Sequence, residues 1–278
     1  MSLDIHPSAI IGSKVKLGSD NKIGPNVTFE LGGELGSNNV LMQGVYIGAG
    51  TTLGNANKIH MNAVIGHIPQ DLAYKDEPSY TRIGHGNTIR EFVTIHRGTK
   101  AETATIIGNE NFIMAYCHIA HNCVLGNKII MVNQASLTGH CHVDDNAFLS
   151  GMTGFHQFSR IGRLAMVSAL SAANKDIPPF VTCGGRPAVA LGLNVVGMRR
   201  AGITAPNRAQ VKQAFKLLYR SGLNISQAIE EIKKSLSSPE VMYLVKFIED
   251  SKRGIIDSAF NFENGAEDES EETLKPKK

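Results

Sequence analysis

A six-residue repeat of large apolar residues runs through most of the first 170 residues of this 278-residue chain. From Ile5 to Val167 the repeat has 28 positions, and only Asp71, Glu77 and Ala101 lack a large apolar side chain. These three fall in two segments, 67–82 and 99–105, which the pattern predicts to be loops. The apolar positions are Ile5, Ile11, Leu17, Ile23, Phe29, Leu35, Leu41, Ile47, Leu53, Ile59, Ile65, Ile83, Ile89, Ile95, Ile107, Ile113, Ile119, Leu125, Met131, Leu137, Val143, Leu149, Phe155, Ile161 and Val167.

A period of six excludes an amphipathic helix, whose apolar stripe would recur every 3.6 residues. It is typical of a left-handed parallel β-helix, in which three six-residue units form the three faces of one 18-residue coil. Successive coils pair as parallel strands about 4.8 Å apart, and each coil buries its apolar residues against its neighbours. The sequence therefore predicts an all-β left-handed parallel β-helix over residues 1–185.

The fifth position of each unit should also point inward, where only a small side chain fits. Cys117, Cys123 and Cys141 occupy this position, so we interpret them as packing residues. A second set, spaced by 18, comprises Asn21, Asn39 and Asn57, which should form an internal ladder of side chains.

Helix signals replace the repeat in the last third of the chain. Thr204 can cap a helix that ends near Gly222, Ser226 can begin a second, and Ser238 can cap a third that ends near Gly254. We predict a C-terminal α-helical domain over 186–256, followed by a disordered acidic tail over 257–278.

The start of the chain has no basic segment followed by an apolar one, so we expect no signal peptide. No stretch approaches 18 apolar residues, which predicts no membrane span. The 4 cysteines include no CxxC pair that would indicate a zinc site or a disulfide framework. We therefore expect a cytoplasmic protein without a metal or cofactor.

The 18-residue coil brings several polar residues to one edge of the predicted β-helix. A histidine with a pKa near neutrality is a natural general base for a hydroxyl nucleophile. A free glycine N–H could stabilise the oxyanion that forms when a thioester carbonyl is attacked. The residues that this spacing aligns are His118, His121, Gly139, His140, His156 and Gln157.

The segment 177–229 contains no Asp or Glu but has 7 basic residues. Four of these residues are spaced by four along one predicted helix, opposite an apolar face that should dock against the rest of the domain. Such a stripe is either a solvated helix face or a docking site for an acidic macromolecule. The sequence has no interleaved aromatic residues and no known motif that would support nucleic-acid binding. An acidic acyl carrier protein is therefore a better candidate partner than a nucleic acid. The stripe comprises Arg208, Lys212, Lys216 and Arg220.

Several short motifs, in this order, resemble the UDP-N-acetylglucosamine O-acyltransferase family, which starts lipid A synthesis. The resemblance extends from Ile5 to about Gly254. The motifs are Gln70-Asp71-Leu72, Ile95-His96-Arg97-Gly98-Thr99, His118-Ile119-Ala120-His121, Gly139-His140, His156-Gln157-Phe158, Asp176-Ile177-Pro178-Pro179 and Gly192-Leu193-Asn194.

The resemblance implies a cytoplasmic homotrimer with active sites between subunits. It also implies transfer of a β-hydroxyacyl group from acyl carrier protein to the 3-hydroxyl of UDP-N-acetylglucosamine, without a metal. His121 would be the general base, Gly139 the oxyanion donor, and Ala169 the end of the acyl groove. The implied contacts with the sugar nucleotide or the acyl chain are Gln70, Asp71, His118, His140, His156, Gln157, Asn194 and Arg200.

Four positions depart from the family pattern: Asn122 replaces an Asp, Ala73 a Lys, Val196 a Glu and Ala201 an Arg. Asn122 removes a negative partner from the presumed base, so a neutral group must orient His121. Because an amine attacks a thioester without a strong base, the 3-amino analogue of UDP-N-acetylglucosamine stays open as an alternative acceptor.

Three other functions are compatible with a β-helix of this kind. One is a related β-helix N-acyltransferase, although that family usually has an extra N-terminal domain. Another is a zinc-dependent carbonic anhydrase that uses His118, His121 and His140 as ligands. The third is a purely structural solenoid, which would leave the histidine-lined edge unexplained.

Overall fold

The structure is a computed structural model that describes residues 4–259. In this range the chain forms a left-handed β-helix of three parallel-stranded faces, followed by a small helical domain. The predicted fold class is confirmed. Among residues 4–259, no helix combines the length and the hydrophobicity that a membrane span requires.

Three faces, which we call A, B and C, make up the β-helix. Within residues 4–259, face A comprises β1 (Asp4–Ile5), β4 (Lys22–Ile23), β7 (Val40–Leu41), β10 (Lys58–Ile59), β13 (Thr88–Ile89), β16 (Phe112–Ile113), β19 (Ile130–Met131), β22 (Phe148–Leu149), β25 (Met166–Val167), β27 (Val181–Gly185) and β28 (Ala188–Leu193). Face B comprises β2 (Ile10–Ile11), β5 (Thr28–Phe29), β8 (Tyr46–Ile47), β11 (Val64–His67), β14 (Thr94–His96), β17 (His118–Ile119), β20 (Ser136–Leu137), β23 (Gly154–Phe155) and β26 (Ala172–Ala173). Face C comprises β3 (Val15–Leu17), β6 (Gly33–Leu35), β9 (Thr51–Leu53), β12 (Tyr80–Ile83), β15 (Ala104–Ile107), β18 (Val124–Leu125), β21 (His142–Val143) and β24 (Arg160–Ile161).

The apolar repeat residues stack on one another in register. Ile119 pairs with Leu137, 18 residues later, and repeat residues between Ile23 and Val167 are almost completely buried. The first loop is shorter than predicted, because β11 and β12 leave only 68–79 outside the strands. The second loop lies about two residues earlier than predicted, because β14 and β15 leave 97–103 outside the strands. Strand pairing continues into the ends of both predicted loops, where backbone groups still find partners on adjacent coils.

The internal asparagine ladder is confirmed. The Asn39 N–H donates to Asn21 Oδ1 and the Asn57 N–H donates to Asn39 Oδ1, both at 2.8 Å. The ladder continues across the first loop to Asn87 and from there to Asn111. Cys117, Cys123 and Cys141 are buried free thiols in the interior, as predicted.

The boundary predicted between residues 185 and 186 is wrong. β27 pairs with β25 in parallel and then turns into β28, which pairs with β27 antiparallel. The alternating apolar segment Ala188–Leu193 thus closes the end of face A, and the first helix begins only at Val195.

The helical domain consists of short helices with well-defined starts. In the described residues these are α1 (Val195–Arg200), α2 (Ala205–Tyr219), α3 (Ile225–Ser235) and α4 (Pro239–Glu249). Thr204 and Ser238 cap α2 and α4 as predicted. The sequence analysis missed α1, which is too short to show a periodic apolar stripe.

Two predicted helix ends are corrected. α3 is capped by Asn224 and not by Ser226, because Asn224 and Gln227 exchange side-chain-to-backbone hydrogen bonds in a capping box. α4 ends at Glu249 and not near Gly254, because the backbone leaves the helical hydrogen-bonding pattern after the cap residue Asp250.

The helical domain is fixed to the β-helix by buried groups. The apolar side of α2 is buried as predicted, including Val211 and Phe215. The buried carboxylate of Asp176 accepts hydrogen bonds from the Arg160 N–H at 2.9 Å and from the Ser251 hydroxyl at 2.7 Å. The Arg160 guanidinium also lies 4.0 Å from the centre of the Phe247 ring.

The predicted disordered tail begins too early. Asp257 forms an ion pair with Lys175 at 2.8 Å, and Ser258 bridges to Ala190. The first three residues of the predicted tail therefore pack against the domain, whereas 260–278 lie outside the described residues.

Candidate active site

The edge between faces B and C, which we call the B–C edge, carries the aligned histidines. The His140 N–H donates to the His121 carbonyl at 3.0 Å, and the Phe158 N–H donates to the Gly139 carbonyl at 3.1 Å. His121, Gly139 and Gln157 therefore occupy equivalent turn positions on three consecutive coils, as the 18-residue spacing predicts.

The imidazole of His121 lies directly against Gly139. A Cβ atom added to Gly139 would lie 2.3 Å from His121 Cε1, so only glycine lets the ring approach this closely. The Gly139 N–H donates to no other group in the described residues. A basic nitrogen and a free amide donor thus stand next to each other, the pair that acyl transfer from a thioester needs.

Asn122 determines which nitrogen of His121 is free. Its Oδ1 lies 3.1 Å from His121 Nδ1 and also 3.1 Å from the Thr99 backbone nitrogen. Because a backbone N–H can only donate, the atom it meets must be the amide oxygen. The same oxygen can only accept, so Nδ1 of neutral His121 carries the proton and Nε2 is left as the base.

The long loop brings Asp71 over the free nitrogen. Asp71 Oδ2 lies 3.5 Å from His121 Nε2. Asp71 Oδ1 accepts the Ala73 N–H at 2.9 Å, and the Gln70 N–H donates to His96 Nδ1 at 3.4 Å. Hydrogen bonds at each end of this short motif therefore set the position of the carboxylate.

Three histidines around this site are held neutral. Burial, together with the nearby charges of His118, His67 and His121, lowers the pKa of His96 to about 4. Burial, followed by the charge of His121, also lowers the pKa of His118 and of His140, although Asp71 opposes the shift at His140. At neutral pH these side chains offer hydrogen bonds and ring surface rather than positive charge.

Ring contacts and short hydrogen bonds fix the same three side chains. The His118 ring packs edge-on against His96 with centroids 4.9 Å apart, and its Nδ1 shares a 2.7 Å hydrogen bond with the Thr94 hydroxyl. The His140 ring stacks on Phe158 at 4.6 Å and meets the His121 ring edge-on at 5.3 Å. These contacts give the edge a rigid wall.

His156 and Gln157 lie on the next coil along this edge. His156 Nδ1 donates to the Gln157 carbonyl at 3.1 Å. The Arg253 guanidinium donates to the same carbonyl, also at 3.1 Å, and so connects the end of the helical domain to the edge.

A single copy of the chain does not bring the remaining predicted residues to the B–C edge. Ala169 lies in the turn between β25 and β26, on the edge between faces A and B, which we call the A–B edge. Asn194 caps α1, where its Oδ1 accepts the Gly197 N–H at 2.8 Å and its Nδ2 donates to the Leu164 carbonyl at 2.9 Å. Arg200 is exposed at the end of the same helix.

The predicted basic stripe lies on the outer side of α2. Lys212, Lys216 and Arg220 are exposed. Arg208 is half-buried, and its guanidinium donates to the Ile203 carbonyl, so it also stabilises the start of the helix.

The sequence analysis assigned no role to Thr94, His96 or Thr99, although all three contact the site. The loop over 97–103 makes the coil containing them six residues longer, so that Thr94 pairs with His118 at a spacing of 24. The 18-residue rule fails across this insertion. Only the motif around His96 could have drawn attention to them.

In residues 4–259, no three His, Cys, Asp or Glu side chains are arranged to hold a metal ion. His118 Nδ1 and His121 Nδ1 already have partners in Thr94 and Asn122.

Comparison with known proteins gives consistent matches. Residues 176–256 match the family described as UDP N-acetylglucosamine O-acyltransferase, domain 2. A relative from Janthinobacterium sp. (strain Marseille), named acyl-[acyl-carrier-protein]–UDP-N-acetylglucosamine O-acyltransferase, is 44% identical over 262 residues, covering 92% of this chain and 100% of the relative. A relative of the same name from Halorhodospira halophila is 42% identical over 254 residues, covering 91% of this chain and 98% of the relative.

Solved structures agree with these relatives. A UDP-N-acetylglucosamine acyltransferase from Bacteroides fragilis superposes with a TM-score of 0.89 at 40% identity, covering 91% of this chain and 99% of that protein. The similarity therefore includes both the β-helix and the helical domain.

Proposed function

The chain belongs to the UDP-N-acetylglucosamine O-acyltransferase family, and on that premise we propose that the B–C edge is its active site. The chain is an acyltransferase that moves an acyl group from acyl carrier protein to UDP-N-acetylglucosamine, the first step of lipid A synthesis. This family excludes the carbonic anhydrase and the purely structural alternatives.

In the proposed mechanism, His121 Nε2 takes the proton from the 3-hydroxyl of the sugar as its oxygen attacks the thioester carbonyl carbon. The carbonyl oxygen becomes an oxyanion, which the Gly139 N–H stabilises. The carbon–sulfur bond then breaks, and the protonated His121 returns the proton to the departing thiolate. The observation that supports this mechanism is the packing of the His121 ring against Gly139, with Nδ1 hydrogen-bonded to Asn122 Oδ1.

The replacement of the usual Asp by Asn122 does not leave His121 without an orienting partner. The neutral amide oxygen of Asn122 holds Nδ1 in place. His121 Nε2 can therefore still take the proton from a hydroxyl nucleophile. The relatives from Janthinobacterium and Halorhodospira are both named O-acyltransferases. We therefore favour the 3-hydroxyl acceptor over its 3-amino analogue.

Competition between the two acceptors tests this assignment. Purified protein would receive a β-hydroxyacyl carrier protein and equal concentrations of UDP-N-acetylglucosamine and the 3-amino analogue. We expect ester to form at least as fast as amide. Predominant amide would overturn the choice of acceptor, and no product with either sugar would overturn the proposed function.

We also propose a cytoplasmic homotrimer, as the family resemblance implies. The A–B edge exposes a row of large apolar side chains, and such rows commonly mark protein interfaces. In a ring of three copies, each interface joins one surface of a copy to a different surface of the next copy. If the A–B edge of one copy faced the B–C edge of the next, Ala169 would end a groove that starts at His121. The exposed row comprises Phe92, Tyr116, Met152 and Leu170.

The acyl carrier protein needs a docking surface close to the sites. We propose that the α2 stripe provides it, because exposed cations attract an acidic protein. Asn194 and Arg200 would contact the nucleotide from a neighbouring copy, since within one copy they lie away from the B–C edge.

A further inference from the structure

We propose that Thr99 is a positioning residue that selects, through Asn122, the ring nitrogen of His121 that acts as the base. This inference rests on the proposed role of His121. It adds a residue that touches neither substrate in the proposed mechanism.

Thr99 is held in the short loop 97–103, with its side chain 4% exposed. Its hydroxyl lies 3.0 Å and its backbone nitrogen 3.1 Å from Asn122 Oδ1. Two donors from a single residue therefore converge on the oxygen that also receives His121 Nδ1–H.

The backbone of Asn122 is fixed independently of its side chain. The Asn122 N–H donates to Thr105 Oγ1 at 2.8 Å. Its φ angle is +59°, in the left-handed region that asparagine tolerates better than most residues. These backbone contacts do not fix the orientation of the side-chain amide.

That orientation decides the protonation pattern of His121. With the oxygen facing the ring, Nδ1 must donate and Nε2 is a free base. If the amide were rotated by 180°, its NH₂ group would donate to Nδ1, and the proton would have to sit on Nε2, where it blocks proton abstraction. The Thr99 N–H opposes this rotation, because the NH₂ group would then face another donor. The Thr99 hydroxyl adds a second hydrogen bond to the amide oxygen in the observed orientation.

A carboxylate at position 122 would not need this selection. Both of its oxygens accept hydrogen bonds, so either orientation gives the same tautomer of His121. The requirement for Thr99 is thus coupled to the presence of an asparagine, and this coupling can be measured.

The experiment is a double-mutant cycle on turnover by the intact trimer. Thr99→Val removes the hydroxyl but keeps the shape and the backbone N–H, so we expect kcat to fall about three- to tenfold, as for the loss of one neutral hydrogen bond. Thr99→Ser should restore the rate. KM for both substrates should stay unchanged, and Thr88→Val, on the outer side of face A, should have no effect.

The second arm repeats Thr99→Val in an Asn122→Asp background, where we expect less than about a twofold loss. Asn122→Asp should also raise the kinetic pKa of the base, because a carboxylate stabilises the imidazolium. An equal loss in both backgrounds, or no loss in either, would overturn the inference. If Thr99→Val does not fold, Thr99→Ala gives the same comparison.

The failure of this inference can be distinguished from the failure of the proposed function. Full activity of His121→Ala would remove the base itself and with it the proposed mechanism. An inactive His121→Ala together with an uncoupled Thr99 would leave the mechanism intact and reject only the role of Thr99.

Discussion

At the residue scale, the proposed chemistry depends on one imidazole whose two nitrogens have different surroundings. His121 Nδ1 is bonded to Asn122, whereas Nε2 faces the loop carboxylate of Asp71. The neighbouring His96 and His118 have lowered pKa values because they are buried. They therefore shape the site without adding positive charge to it.

His121→Ala should lower kcat at least about a hundredfold, since general base catalysis contributes roughly 10²–10⁴ in rate. The assay is acyl transfer to UDP-N-acetylglucosamine, with circular dichroism and gel filtration as controls for folding and assembly. Near-normal turnover by a folded variant would show that another group is the base.

Gly139→Ala tests the contact between the ring and the turn. The new methyl group would overlap His121 Cε1, at 2.3 Å, and must displace the imidazole from its hydrogen bond with Asn122. We expect a loss of kcat of about a hundredfold, comparable to the removal of an oxyanion donor, with little change in melting temperature. A variant that retains its rate would mean that the ring position is not critical.

At the element scale, each coil is stabilised by pairing with the coils on either side. The buried asparagine ladder adds side-chain hydrogen bonds to this pairing, and it spans the point where the long loop leaves the β-helix, between Asn57 and Asn87. The ladder thus keeps face A in register where the long loop interrupts the regular 18-residue coil.

Asn57→Ala should therefore destabilise the β-helix. It leaves the buried N–H of Asn87 without its acceptor at 2.9 Å, at a cost of about 1–3 kcal/mol. Urea denaturation followed by circular dichroism measures the change. Lys58→Ala, at the adjacent exposed position, is the matched control and should change stability by less than about 0.5 kcal/mol. Equal effects of the two substitutions would argue against the ladder.

At the scale of the whole molecule, the helical domain carries the charge that should attract the donor. Lys212→Glu combined with Lys216→Glu should raise KM for the acyl carrier protein thioester, and more strongly at low salt, where charges are less screened. Steady-state kinetics at two ionic strengths would measure this. The control is Lys22→Glu combined with Lys58→Glu on face A, which makes the same change of charge away from α2 and should leave this KM unchanged. A KM that does not change at low salt would exclude docking through the stripe.

If the protein is the homotrimer proposed above, mixed trimers test whether the acyl groove is shared between copies. Ala169→Met should block long acyl chains, so trimers of this variant should favour shorter donors. Mixed trimers would combine His121→Ala chains with Ala169→Met chains. If the groove is shared, His121 of an Ala169→Met chain can face Ala169 of a neighbouring His121→Ala chain, and that site is intact. Activity with long donors should then return. If the mixed trimers still reject long donors, the groove lies within one copy or ends elsewhere.

The sequence by itself determined the β-helix, its inward-facing residues and the starts of α2 and α4. A strict six-residue period assigns every residue to a face and a direction, because each unit forms the same strand and turn. The alignment of His121 with Gly139 and Gln157 followed from the same period, since no residues are inserted between these coils.

Only the tertiary structure decided which groups meet across an insertion. Thr94 reaches His118 over 24 residues, and Asp71 approaches His121 from a loop that has no repeat. Thr99 likewise reaches Asn122 from the short loop. The position of a loop side chain depends on where its backbone finds hydrogen-bond partners on other coils, and such partners leave no periodic trace in the sequence.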